Sequence, residues 1–139
     1  MTYGVDTSVL LRVLMGQPVA LAQKVRARLK DLWRSGVKCS VCDVVVSEAY
    51  YALQHSYGIS KERAILALKR LSENPGFKFS DAACAALATP NLAKASPGLM
   101  DRVIYGTYVP HADGEHVMLT CERDAKKFDA AEVIRENSI

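Results

Sequence analysis

Along this chain, short apolar runs alternate with longer stretches in which apolar residues recur every three or four positions, the pattern of strands followed by amphipathic helices. The first run, Tyr3-Gly4-Val5, passes at Asp6 into a helical pattern ending near Met15, where Gly16-Gln17-Pro18 breaks it. Pro18 suits the first turn of a second helix, with Leu21, Val25, Leu29, Leu32 and Trp33 as its apolar stripe and Gly36 as its end. Residues 37–42 read as a buried second strand. Asp43 caps a third helix over 44–57, closed by Gly58. Ser60 caps a fourth, with Ala64, Leu68 and Leu71 inward. Asn74-Pro75-Gly76 is a turn before a third strand, 77–79, and Ser80-Asp81 opens an alanine-rich helix that fades near Ala95. After the loop Ser96-Pro97-Gly98 the pattern predicts a helix over 99–108 and a loop over 109–115. A strand over 116–120, a brief helix over 123–128 and a short strand over 131–134 complete it.

Strands that alternate with helices and carry no hairpin signals predict an α/β domain. Its sheet is expected to be mainly parallel, with four to five short strands and helices on both faces. A chain of 139 residues with neither repeat nor linker fits a single domain spanning 1–139. Half the residues are hydrophobic, yet no apolar run approaches a membrane span and Met1-Thr2-Tyr3 leads straight into the first strand. A cytoplasmic protein without membrane association is the expectation.

The net charge of +3 does not by itself indicate a nucleic-acid partner. Its distribution is more informative, because Lys24, Arg26, Arg28, Lys30 and Arg34 crowd one helix and Lys61, Arg63, Lys69 and Arg70 another. These are solvated helix faces or a polyanion-binding surface. Cys39 and Cys42 have the C-x2-C spacing of a metal or redox pair. Cys84 and Cys121 stand alone, so no second pair completes a zinc site, and Cys39 and Cys42 are expected in the core. His55, His111 and His116 are scattered and read as structural or surface residues.

Four carboxylates stand out. Asp6 lies at the carboxyl end of the first strand, where α/β folds place ligands, and is followed by Thr7 and Ser8, which suit a helix N-cap; that Asp6 merely caps the helix is the plainer alternative. Glu48 has apolar residues on both sides of its helix turn, so it is expected to face inward or into a cleft. Asp101 opens the helix Leu99-Met100-Asp101-Arg102-Val103-Ile104, and Glu122 directly follows the strand that ends at Thr120. Asp124, two residues on, is an alternative to Glu122.

In order and spacing these segments resemble a PIN domain over essentially the whole chain. The matching pieces are Val5-Asp6-Thr7-Ser8-Val9-Leu10-Leu11, Ser47-Glu48 with its apolar helix, Asp101 in its helix, and Leu119-Thr120-Cys121-Glu122-Arg123-Asp124. The family's usual Thr-Phe-Asp ending is replaced here by Thr120-Cys121-Glu122. Size and layout look most like the toxins of bacterial toxin–antitoxin pairs.

The resemblance implies an endoribonuclease that depends on Mg²⁺ or Mn²⁺, with RNA as substrate, a cognate antitoxin as protein partner, and a homodimer. It makes Asp6, Glu48, Asp101 and Glu122 the catalytic acids, with Asp6, Asp101 and Glu48 on the metal. Thr7, Ser8, Thr120 and Asp124 support them, and Arg12, Arg102 and Arg123 contact RNA phosphates. An incomplete PIN-like module that binds RNA or protein without cutting is the alternative. A haloacid-dehalogenase type of phosphotransferase fits less well, since Ser8 stands where it needs a second aspartate.

Overall fold

The computed structural model describes residues 1–136. Its chain divides into two compact units, the first Met1–Ser80 and the second from Asp81 onward.

The first unit is built on three parallel strands, β1 (Tyr3–Gly4), β2 (Cys39–Val41) and β3 (Phe77–Phe79), lying in that order. Tyr3 pairs with Cys39, and Cys39 with Phe77. Parallel neighbours need a crossover between them, and each is a pair of helices. Helices α1 (Thr7–Met15) and α2 (Val19–Arg34) join β1 to β2, and α3 (Asp43–His55) and α4 (Lys61–Glu73) join β2 to β3. Gly16 ends α1 at φ 67°, a left-handed conformation that glycine adopts at no steric cost, and its N–H bonds Arg12 O.

Period-2 burial fits the strands: Cys39, Val41, Phe77 and Phe79 are buried and Lys78 is exposed. On α2 the buried series is Ala22, Leu29 and Leu32, with Val25 half-buried between them. Leu21, expected in that stripe, is 46% exposed, because the spacing to Leu29 and Leu32 is kept from Ala22 rather than from Leu21. Cys39 is fully buried while Cys42 is exposed at the start of α3, so only one of the two belongs to the core. All four cysteines are free thiols.

The second unit contains α5 (Asp81–Leu87), a 3₁₀ turn (Leu92–Lys94), α6 (Leu99–Tyr108), β4 (Met118–Thr120), a second 3₁₀ turn (Arg123–Lys127) and β5 (Ala131–Val133). The alanine-rich helix stops at Leu87 rather than near Ala95. Pro90 has no N–H to donate and disfavours helical backbone at Thr89, and Asn91 then adopts a left-handed turn at φ 51°. α5 and α6 pack closely: a Cβ at Gly106 would lie 3.1 Å from the Ala82 Cβ. β4 and β5 form a parallel pair of their own, Met118 facing Ala131 and Thr120 facing Val133. Under them Val109, Met118 and Ala125 form a small core with Tyr105 and Phe128, whose rings stack at 4.2 Å.

The class is therefore α/β with short parallel strands, but they fall into sheets of three and two rather than one sheet of four to five. Among the described residues no helix is long and apolar enough to cross a membrane.

Candidate functional site

In the first unit the carboxyl edge of the sheet gathers the polar side chains. Val5 N–H bonds Ser40 O, and the chain turns at Asp6, which is extended (φ −94°, ψ 177°) and caps α1. Its Oδ1 accepts from Ser8 Oγ at 2.6 Å and from Val9 N–H at 3.2 Å. These two donors, the Ser8 hydroxyl first, hold the Asp6 carboxyl below the usual carboxylate range. Asp6 is solvent-exposed, so it is an ionised, oriented carboxylate at a helix N-terminus. Capping and presentation at the strand end are done by the same side chain.

Thr7 Oγ1 donates to Glu48 Oε1 at 3.1 Å, which joins the Asp6 turn to α3. Glu48 itself is exposed rather than inward-facing. The apolar residues around it belong to two stripes: Val45, Val46, Ala49, Tyr50 and Leu53 are buried, whereas Val44 (67%) and Tyr51 (55%) share its exposed side. Glu48 thus keeps its solvation and owes its orientation to Thr7.

At the ends of the other two strands, Ser80 Oγ donates to Asp43 Oδ1 at 2.6 Å. The sequence marks Asp43 only as a helix cap, but Cys42 occupies the cap position and Asp43 is the first residue of α3. Its strand-end position after 37–42 was the available signal for a further polar group on this edge. Arg12, expected at an RNA phosphate, is half-buried on α1, and its Nε is buried without a hydrogen-bond partner among the described residues.

In the second unit Asp101, Thr120, Glu122 and Asp124 line one cavity of about 130 Å³. Asp101 is exposed in the first turn of α6, whose cap is Gly98. Thr120 Oγ1 accepts from Glu122 N–H at 3.1 Å, so this hydroxyl fixes the backbone leaving β4 rather than a carboxylate. Glu122 is exposed. Asp124 is engaged differently: its Oδ2 accepts a short hydrogen bond from Ser96 Oγ, and its Oδ1 is buried without a partner among the described residues. Lys127 Nζ donates to Ser96 O at 2.9 Å, so both side chains tie down the loop before α6.

Arg102 donates through Nε to Pro97 O at 2.7 Å and lies over the Phe128 ring at 5.6 Å. It is packed into its own unit. Arg123 is exposed on the second 3₁₀ turn. A larger cavity of about 460 Å³ is lined by Ala82, Ala85, Gly106, Arg102 and His111 among others, and by none of the four acids. His116 Nδ1 lies 2.6 Å from Asp113 Oδ2 and closes a loop, and His55 stacks on Tyr51.

No group of three or more His, Cys, Asp or Glu side chains that could hold a metal ion is present among the described residues. A scan of protein-family models and searches of curated proteins and of solved structures find no match to this chain.

Proposed function

We propose that this chain is a metal-dependent endoribonuclease of the PIN type, acting as the toxin of a toxin–antitoxin pair. The observation that supports the reading best is the Asp6 turn. A strand-end carboxylate is kept ionised by Ser8 and Val9, and the hydroxyl beside it orients a second carboxylate, Glu48. Ordinary helix capping needs neither the Thr7–Glu48 bond nor a second acid.

Each unit supplies oxygen donors of the kind a hard divalent cation takes: Asp6 and Glu48 as ligands in the first, and Asp101 as ligand with Glu122 as outer ligand or water-orienting group in the second. The buried, unpartnered Asp124 Oδ1 adds to the fit, because a nearby cation offsets the cost of burying such an oxygen. When bound, Mg²⁺ or Mn²⁺ supplies positive charge for the scissile phosphate and lowers the pKa of a water. The protein's own side chains do the positioning. Ser8 and Val9 N–H fix Asp6, Thr7 fixes Glu48, and Thr120 fixes the backbone from which Glu122 projects. Arg123, which is exposed, is the cation we assign to a phosphate, whereas Arg102 is held by packing. The exposed Val44, Tyr51 and Leu66 of α3 and α4 are the surface we assign to the antitoxin or to a second copy.

One observation favours a second reading, a PIN-like module that binds without cutting: the described acids are not gathered into a ready-made metal cluster. Incubating the purified protein with total RNA in Mn²⁺ and in EDTA separates the two. The nuclease reading expects fragments in Mn²⁺ only, lost in Asp6→Asn. Binding without fragments in either condition overturns it in favour of the module.

A further inference from the structure

Charge is divided unevenly along the chain. Residues 1–80 carry twelve Lys and Arg against six Asp and Glu, and residues from 81 on carry six against nine. Five of the twelve cations lie on α2, whose single acid is Asp31. Arg26, Lys30 and Arg34 follow one another at four-residue spacing on one exposed face. Like charges at this spacing repel, so the arrangement costs helix stability rather than adding to it. Among the described residues the one compensating ion pair is Arg34–Asp31 at 3.6 Å, with both side chains largely in solvent. Between the cations the small Ala27 leaves a shallow open groove of about 330 Å³, lined otherwise by Gln23, Arg26, Lys30, Asp31 and Arg34.

The groove is fixed to the strand-end turn by its own neighbours. Arg26 Nη2 donates to Val13 O on α1 at 3.4 Å, and Arg28 Nη2 to the Tyr3 hydroxyl on β1 at 3.2 Å. α2 therefore lies against both elements that flank Asp6.

We infer that the Arg26–Lys30–Arg34 face of α2 is a docking track for the phosphate backbone of single-stranded RNA, an inference that rests on the nuclease reading above. Three cations repeating once per helical turn match a ligand with regularly spaced charges. The groove is lined by no aromatic or large apolar residue, and exposed Val19 one turn before it is too little for an acidic helical peptide, which needs several anchors where phosphate contacts need none. Because such contacts carry no sequence information, the track binds RNA of any sequence and leaves selectivity to other groups.

The test is fluorescence anisotropy with a fluorescein-labelled mixed-sequence RNA of about 20 nucleotides in EDTA, across a salt series. It compares the parent with Arg26→Gln/Lys30→Gln/Arg34→Gln and with a charge-matched control on α4, Lys61→Gln/Lys69→Gln/Arg70→Gln. The α2 variant is expected to bind at least about tenfold more weakly, with a salt slope smaller by about 2, as three lost contacts to a single strand imply. The control is expected within about threefold of the parent. The α2 variant is expected to melt close to the parent, since relief of like-charge repulsion offsets the lost Arg26–Val13 and Arg34–Asp31 contacts. Equal losses in the two variants, no loss in either, or a parent that binds no RNA at low salt overturns the track. So does a loss of binding to polyglutamate with RNA binding intact, which assigns the face to an acidic peptide. A Mn²⁺ cleavage assay on the same samples keeps the two readings apart. Cleavage by the parent with track-independent binding removes the track alone; track-dependent binding with no cleavage supports the track and removes the nuclease.

Discussion

At the scale of single residues, Asp6 carries two duties that a pH series separates. Its carboxyl is held below its ordinary value by Ser8 and Val9, so ionised Asp6 stabilises the fold above the ordinary carboxylate range. That contribution is lost as pH falls through the lowered, folded-state value. Asparagine caps a helix about as well as aspartate but carries no charge. Asp6→Asn is therefore expected to melt slightly below the parent near neutral pH, the gap closing on acidification. A gap unchanged from neutral pH to the acid limit contradicts the assignment. Thr7→Val tests the second carboxylate, since it keeps the side-chain shape and removes only the donor to Glu48. Cleavage is expected to fall roughly 10–100-fold, as for partners that orient metal ligands, with the melting temperature nearly unchanged. An unaffected rate means that Glu48 needs no orienting. The Asp6 arrangement was legible in the sequence because its bonds reach only two and three residues ahead. Thr7–Glu48, Ser80–Asp43 and Ser96–Asp124 span 41, 37 and 28 residues, distances over which no local pattern operates.

At the scale of elements, turn chemistry fixes where strands begin. Asn74 Oδ1 accepts from Gly76 N–H at 2.8 Å, and Gly76 O accepts from both Cys39 N–H and Trp33 Nε1, each at 2.9 Å. A Cβ at Gly76 would lie 2.3 Å from the Trp33 ring, whose edge also packs on Phe77. Gly76→Ala must displace the indole, break its hydrogen bond and disturb the start of β3, costing about 1–3 kcal/mol. Trp33 is the only tryptophan, so its fluorescence reports the event directly. A shifted emission maximum and a melting temperature lower by several degrees are expected. An unchanged spectrum and melt show that the turn relaxes freely. Glycines, prolines and apolar periods located the strands and helices in the sequence. Pro90 was there as well, but the alanine run around it outweighed it in a reading by composition, so α5 came out shorter than expected. The division into sheets of three and two was not legible, because period-2 burial shows that a strand is covered and not which strand lies beside it.

At the scale of the whole molecule, the basic first 80 residues and the acidic remainder give the chain a charge asymmetry that its net +3 conceals. Of the four acids, Asp6 and Glu48 belong to the first stretch and Asp101 and Glu122 to the second. Asp124, tied through its Oδ2 to Ser96 of the loop before α6, is assigned a positioning role. The most direct test of the account is the single-turnover cleavage rate of a labelled RNA in Mn²⁺ for the parent and single-site variants. Asp6→Asn, Glu48→Gln and Asp101→Asn are each predicted to cut more than about a hundredfold more slowly, and Glu122→Gln, as outer ligand or water-orienting group, about 10–100-fold more slowly. Asp124→Asn is predicted to keep more of the parent's rate than any of the four. Cleavage that persists in EDTA, or that survives loss of Asp6 and Asp101 alike, contradicts the account.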